Sequence, residues 1–185
     1  MATLADLRQQ FKAGKQALVD GFLAERPTQA GAERLLRRLA RHVDDTLRAL
    51  WAQAGMPAGS CLAAVGGYGR GELFPHSDVD VLVLLPDGVE AHQPGAVKTA
   101  LESFITACWD VGLEIGSSVR TLGECLSESA GDVTIQTALL EARPLAGDAK
   151  LFRLMHKRFM QAMDRKAFFR AKTLETLQRH TKFDD

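Results

Sequence analysis

The stretch from Cys61 to Pro86 constrains what this chain can fold into more than any other part of it. It reads C-L-A-A-V-G-G-Y-G-R-G-E-L-F-P-H-S-D-V-D-V-L-V-L-L-P, so two apolar runs flank a glycine-rich polar loop. The second run opens on Asp78 and Asp80. Because side chains alternate along a strand, both carboxylates leave the same face, with Cα atoms roughly 6.6 Å apart. Such a pair beside a loop that admits phosphate suits a divalent cation bound together with a nucleoside triphosphate.

The composition favours a soluble protein with no general affinity for nucleic acid. The 185 residues include 23 Lys and Arg against 23 Asp and Glu, so no net positive charge attracts a polyanion. No apolar run approaches the roughly 20 residues of a membrane span, and the N-terminus does not read as a secretory signal. The three cysteines form no C-x-x-C pair, which argues against a disulfide framework or a structural zinc site. We expect a cytoplasmic protein without a membrane or nucleic-acid partner.

Apolar periodicity predicts an α/β (α+β) chain, with a small mixed sheet flanked by helices. Strands are expected over 61–66, 79–85 and 113–120. Helices are expected over 4–24, 30–54, 94–111, a short segment after 121, 132–142 and 148–180. This order divides the chain into an N-terminal helical arm, a core and a C-terminal helical segment, over 1–57, 58–146 and 147–185. The last helix has apolar residues on more than one side, so we expect an N-terminal fragment of a longer protein.

The glycine loop has the character of a phosphate site. Gly66, Gly67 and Gly69 permit positive φ and close backbone approach, which exposes successive N–H groups to an anion, although a plain turn would use the same residues. A Walker A loop is excluded because the loop contains no lysine. The dinucleotide fingerprint G-x-G-x-x-G is excluded because Glu72 stands where its last glycine belongs.

The acid pair gives the loop its chemical meaning. Asp78 and Asp80 head a strand that continues almost wholly apolar, and acids there are unfavourable unless they are paired, hydrogen-bonded or metal-bound. Metal ligation and a structural salt bridge both remain open. A third carboxylate would complete a metal cluster. Glu114, between two apolar residues on the third strand, is the best candidate, ahead of Asp110 and Asp87, and a solvent-exposed glutamate is the alternative.

Four other side chains of the loop have candidate roles. Arg70 suits a bidentate contact to phosphate, or an ion pair with Glu72. Ser77 suits either a cap or a hydroxyl donated to phosphate. Tyr68 would stack or pack, and His76 reads as a solvated loop histidine.

These residues resemble a known family. G-G-Y-G-R-G-E-L-F-P-H-S-D-V-D-V-L is similar to the nucleotidyltransferase signature of the bacterial PII uridylyltransferase/uridylyl-removing enzymes, of the DNA polymerase β-like superfamily. The stretches G-L-E-I-G-S-S-V-R-T-L-G-E-C-L, L-L-E-A-R-P-L-A-G and R-H-T-K-F resemble the same family. The resemblance covers most of 60–185 and implies a polymerase β-like nucleotidyltransferase fold.

The resemblance also implies an activity. Gly66 and Gly67 would hold the triphosphate of UTP, while Asp78 and Asp80 would bind Mg²⁺, or Mn²⁺, with Glu114 as the third acid. UMP would pass to a tyrosine hydroxyl of the nitrogen-regulatory PII protein, releasing pyrophosphate. The family's UMP-removing phosphohydrolase domain and glutamine-sensing ACT domains do not fit in this chain. The chain departs from the family at Ser117, where histidine is common.

Two alternatives stay open. One is transfer of AMP, as in the glutamine synthetase adenylyltransferase, because nothing in the loop reads the base. The other is a nucleotidyltransferase-like module that binds a nucleotide or a partner without turnover.

Overall fold

The computed structural model describes residues 2–91 and 93–183, which form eight helices and four strands. The strands are β1 Cys61–Ala64, β2 Val79–Leu85, β3 Ile115–Thr121 and β4 Arg143–Gly147. The helices are α1 Leu4–Ala24, α2 Gln29–Gln53, α3 Gly66–Gly69, α4 Ala96–Val111, α5 Leu122–Ser129, α6 Val133–Leu140, α7 Ala149–Ala162 and α8 Arg165–Phe183. The expected α/β class is confirmed.

The four strands form one mixed sheet in the order β3-β2-β1-β4. Strand β1 runs antiparallel to both of its neighbours, whereas β2 and β3 run parallel. The parallel pair needs a crossover, and α4 provides it. In the parallel register Val79 lies opposite Ile115 and Asp80 lies opposite Gly116. This pairing decides what surrounds the acid pair.

Helices cover both faces of the sheet, because alternate residues of the central strands are buried on opposite sides. Val81 and Val83 pack in one cluster with residues of α1, α2 and α4. Leu82 and Leu84 pack in a second cluster with residues of α5, α6 and α7. By the same alternation Asp80 belongs to the second face.

The predicted N-terminal arm is packed on the sheet. Phe11 of α1 and Leu47 of α2 lie in the same buried cluster as Val83. A capping box at Thr3 starts α1, and Thr28 caps α2 through the amide of Gly31. The arm therefore shares the core of the 58–146 segment, while the division into three domains stays a prediction.

The structure differs from the expected elements in three places. The glycine loop contains the short helix α3, and β1 ends at Ala64. Strand β4 lies where no strand was expected. The helix expected over 148–180 is two helices, because the Asp164 side chain accepts hydrogen bonds from the amides of Lys166 and Ala167 and starts α8.

Candidate active site

Two carboxylates lie near α3, the helix Gly66–Gly69 that is called the glycine helix below, and line a cavity of about 430 Å³. Asp78 immediately precedes β2, Asp80 is the second residue of that strand, and both side chains are exposed. Gly67, Arg70 and Ser77 line the same cavity. The structure thus brings together five of the residues that the sequence nominated for the site.

The carboxylate of Asp80 lies between two glycines. A Cβ added to Gly116 would be 2.5 Å from Asp80 Oδ1, and one added to Gly66 would be 3.6 Å from Oδ2. The absence of a side chain on both neighbours leaves the room that this carboxylate occupies. Although the residue is exposed, partial desolvation of its carboxylate, followed by repulsion from Asp78, raises the pKa of Asp80 above its ordinary value.

Among the residues that the structure describes, neither Asp78 nor Asp80 has an ion-pair partner. Across the described residues, no side chain forms an ion pair or a hydrogen bond with Asp78 or Asp80. The structural salt bridge considered from the sequence is therefore not formed. Two adjacent, unpaired carboxylates are the donor set that a hard divalent cation prefers.

The helix α3 turns the chain sharply after β1. Gly66 has φ +57°, in the left-handed region that glycine adopts without strain. The amide of Gly69 donates to the carbonyl of Val65 at 3.0 Å and closes the single turn. The first N–H groups of a helix have no acceptor within the helix, so those of α3 have no intrahelical partner.

Arg70 forms an ion pair, but with a different partner from the one considered. Its Nη1 lies 2.6 Å from Glu141 Oε1, just beyond the end of α6. Glu72 instead lies 3.9 Å from Arg37 on α2. The expected alternative of an Arg70–Glu72 pair is wrong, because the chain places Glu141 closer to Arg70. Arg70 still lines the cavity of the acid pair.

Glu114 is not brought into that cavity. Its carbonyl accepts a hydrogen bond from Val79 N at 2.8 Å, so its backbone lies level with the start of β2. The residue lines a separate cavity of about 250 Å³, together with Phe11 and His42. Ser77 and His76 border both cavities. In the part of the chain that the structure describes, no three His, Cys, Asp or Glu side chains are grouped to hold a metal.

A third cavity, of about 390 Å³, lies on the other side of Asp80. Gly66 and Asp80 line it, and α6 contributes part of its wall through Thr134, Ile135 and other residues. The sequence reasoning missed this wall. Its residues carry no motif, and only the packing of α6 on the second face of the sheet brings them near β2 and β3.

Sequence reasoning also missed a buried group behind α3. Asp44 of α2 is buried and is bound by Arg143 of β4 and by the hydroxyl of Tyr68. A signal for it exists, since Asp44 falls within the apolar stripe of α2, next to Val43 and one turn from Ala40 and Leu47. A charged residue on a buried stripe requires a partner.

Comparison with known proteins shows which proteins this chain is similar to. Residues 47–131 match the family model described as "Nucleotidyltransferase domain". Over 178 residues, 96% of this chain, the sequence is 50% identical to the bifunctional uridylyltransferase/uridylyl-removing enzyme of Burkholderia pseudomallei (strain K96243). Residues 47–131 thus match a nucleotidyltransferase domain, and nearly the whole chain is similar to enzymes named uridylyltransferase/uridylyl-removing enzyme. The matched segment contains the glycine helix, both aspartates and Glu114 of this domain.

Further relatives agree with that assignment. The enzyme of the same name from Burkholderia thailandensis is 51% identical over the same length. The chain spans about 20% of the length of these curated relatives. Among solved structures, a toxin–antitoxin structure with AMP-PNP is remotely similar, with a TM-score of 0.43 and 13% identity. The match covers 75% of this chain and 98% of that one.

Proposed function

We propose that this domain transfers UMP from UTP to a tyrosine hydroxyl of the PII signalling protein and releases pyrophosphate. The observation that carries the proposal is the unpaired Asp78–Asp80 couple in a cavity beside the glycine helix. The identity of about half of all residues to enzymes named uridylyltransferase/uridylyl-removing enzyme supports UTP as the donor. The PII acceptor and its tyrosine rest on the family resemblance of the sequence.

The residues present fit a divalent cation, with Mg²⁺ proposed and Mn²⁺ as a substitute. Asp78 and Asp80 would hold it. Mg²⁺ is typically bound by one or two carboxylates together with substrate phosphates and water, so a complete cage of protein ligands is not required. When bound, the ion would neutralise charge on the phosphates of UTP as pyrophosphate leaves.

The remaining roles belong to the chain's own groups. The free N–H groups at the start of α3, from Gly66 and Gly67, would bind phosphate oxygens. Gly69 would allow the tight turn, while Arg70 and Ser77 line the same cavity and would contact the phosphate chain. These contacts would orient the α-phosphorus for in-line attack by the acceptor hydroxyl, and such positioning accounts for much of the rate of phosphoryl-type transfers.

Glu114 as the third acid remains a prediction that a single variant tests. Its cavity is separate from that of the aspartates, and the loop residues Ser77 and His76 lie between them. If Glu114 is a metal ligand, Glu114→Gln should weaken Mg²⁺-dependent UTP binding as strongly as Asp78→Asn. If it is not, the variant should bind UTP like the wild type.

Nucleotide binding by this chain can be measured by thermal shift. A ligand at about 100 times its Kd stabilises by about 2.7 kcal/mol, which for a chain of this size raises Tm by roughly 5–10 °C. We expect that rise with UTP and Mg²⁺, a smaller rise with ATP, and none for UTP in the double variant Asp78→Asn with Asp80→Asn. The matched control is Asp110→Asn, since Asp110 is an exposed carboxylate away from the cavity. A larger rise with ATP would favour the adenylyl-transferring alternative.

Transfer itself is tested with labelled UTP and purified PII. The double variant in a full-length uridylyltransferase carrying this domain should lose transfer and keep its circular dichroism spectrum. Transfer at the wild-type rate by that variant would refute the proposal. Residues 1–185 alone should bind UTP and label PII weakly or not at all, because surfaces of a longer enzyme would position the acceptor.

Within the described residues, no helix has both the length and the apolar character to cross a bilayer.

A further inference from the structure

Three of the four residues of α3 are glycines, so Tyr68 is the one residue whose side chain can hold this helix in place. Glycine loses more backbone freedom on ordering than any other residue, and a single helical turn is unstable by itself. The tyrosine side chain is 2% exposed and packs in the cluster shared by α1, α2 and α4. The position of the phosphate-facing amides therefore depends on what Tyr68 contacts.

The contact is a network around the buried carboxylate of Asp44, which Arg48 of the same helix also approaches, with its Nη2 3.6 Å from Asp44 Oδ2. The Tyr68 hydroxyl donates to Asp44 Oδ1, and Asp44 is 6% exposed. Arg143 of β4 donates to both oxygens of that carboxylate, at 2.8 Å each. Its guanidinium also lies over the Tyr68 ring, 5.1 Å from the centroid. One carboxylate thus joins helix α2, edge strand β4 and the glycine helix.

A second attachment holds the far end of α3. A Cβ on Gly69 would be 2.1 Å from the carbonyl oxygen of Glu141, so the two backbones are in direct contact. Arg70, which follows, is paired with the carboxylate of the same Glu141. Gly69 and Arg70 thus both contact Glu141, which lies in the short segment that joins α6 to β4.

We infer that Asp44, Tyr68 and Arg143 are positioning residues for nucleotide binding. They fix α3 so that its free amides face the phosphates beside Asp78 and Asp80. The inference rests on the proposed nucleotide-binding function. A purely stabilising role explains the network poorly, because apolar groups of similar volume often stabilise a core as well as a buried ion pair does. The distinctive property of a bidentate pair is its fixed geometry.

The test uses Tyr68→Phe, which removes the hydroxyl and keeps the ring. We expect Kd for UTP with Mg²⁺, measured by titration calorimetry well below Tm, to rise about tenfold, the scale set by one hydrogen bond to a charged group. Arg143→Lys, which keeps the charge and loses the fork, should change Kd in the same direction. The two effects should be less than additive when combined, because both bonds end on Asp44.

The matched control is Thr46→Val. Thr46 is 7% exposed on the same helix as Asp44, and its hydroxyl donates to the carbonyl of His42 at 3.0 Å. This variant should lose comparable stability and bind UTP with wild-type Kd. If Tyr68→Phe and Thr46→Val both lower Tm and neither changes Kd, the network is only structural and the inference is wrong.

A second measurement does not depend on the nucleotide. Hydrogen exchange at the amides of Gly69 and Gly71, which donate to Val65 and Tyr68, should accelerate at least tenfold in Tyr68→Phe and stay unchanged in Thr46→Val. Unchanged exchange in Tyr68→Phe would overturn the inference. If the wild type binds no UTP while exchange accelerates as expected, the proposed function fails and the role of the network in ordering α3 stands.

Discussion

Replacing Gly116 with alanine should move the carboxylate of Asp80, and the size of the movement follows from the structure. The new Cβ would lie 2.5 Å from Asp80 Oδ1, whereas ordinary contact begins at 3.4 Å, so the carboxylate must retreat by about 0.9 Å. Gly116 and Asp80 are paired across β2 and β3, so the strands themselves cannot separate without losing ladder hydrogen bonds. A catalytic group misplaced by about 1 Å costs on the order of 100-fold in rate.

The assay is UMP transfer from labelled UTP to PII by a full-length uridylyltransferase carrying the Gly116→Ala substitution. The expected result is kcat/KM lowered about 100-fold with an unchanged circular dichroism spectrum. The matched control is Gly21→Ala, since a Cβ on Gly21 of α1 meets nothing within 4 Å. That control should gain roughly 0.5–1 kcal/mol of stability and keep its activity. Full activity of Gly116→Ala would show that Asp80 does not act from the position described.

Three further predictions concern stability and reactivity. Gly69→Ala should lower Tm by roughly 3–10 °C, because the new Cβ would overlap the Glu141 carbonyl and overpacking costs about 1–3 kcal/mol. A calorimetric Tm equal to that of the wild type would contradict the contact. In metal-free buffer at neutral pH, Asp80→Asn should have a higher Tm than the wild type, because burial and Asp78 raise the pKa of Asp80. Protonation of Asp80 stabilises the wild type as pH falls toward 3.8, the ordinary pKa of an aspartate. The difference in Tm between Asp80→Asn and the wild type should therefore narrow on acidification. A difference in Tm that widens would refute the raised pKa of Asp80. Burial raises the pKa of three thiols to about 12, those of Cys61, Cys108 and Cys125. They should therefore react with a disulfide reagent at pH 8 only after denaturant is added. Rapid reaction in native buffer would count against their burial.

Local pattern was sufficient for the elements with a strong period. Helix α1 was predicted at its observed bounds, and β2 was predicted from Val79 to Leu85. Strand β4 was missed because Arg143–Gly147 includes Pro144 and ends in glycine, both depleted in strands. The sheet order explains its tolerance, since β4 is an edge strand.

The break between α7 and α8 was missed for a similar reason. The two residues between these helices, Met163 and Asp164, are neither glycine nor proline, the residues that most often end a helix. The Asp164 side chain instead caps α8. Aspartate is a strong N-cap, but it also occurs inside helices, so the residue type alone does not locate a boundary.

The candidate site was predictable where it depends on neighbours in sequence. Asp78 and Asp80 share a face because the strand period is two, and the glycines adjoin them through a short connection. Glu114, Glu141 and Arg143 are placed by packing between distant segments, which no local pattern encodes. The Arg70–Glu72 ion pair, which was the alternative to a phosphate contact, was wrong for this reason, since the ion-pair partner Glu141 is 71 residues away.

The glycine helix bridges the two halves of the interior, since Val65 before it packs in the cluster of α5, α6 and α7 and Tyr68 packs with α1, α2 and α4. Heat that softens either layer should therefore loosen the proposed phosphate contacts before the molecule unfolds as a whole. Thermostabilising redesign of one layer alone would leave the weaker layer to limit the temperature at which the proposed transfer can proceed.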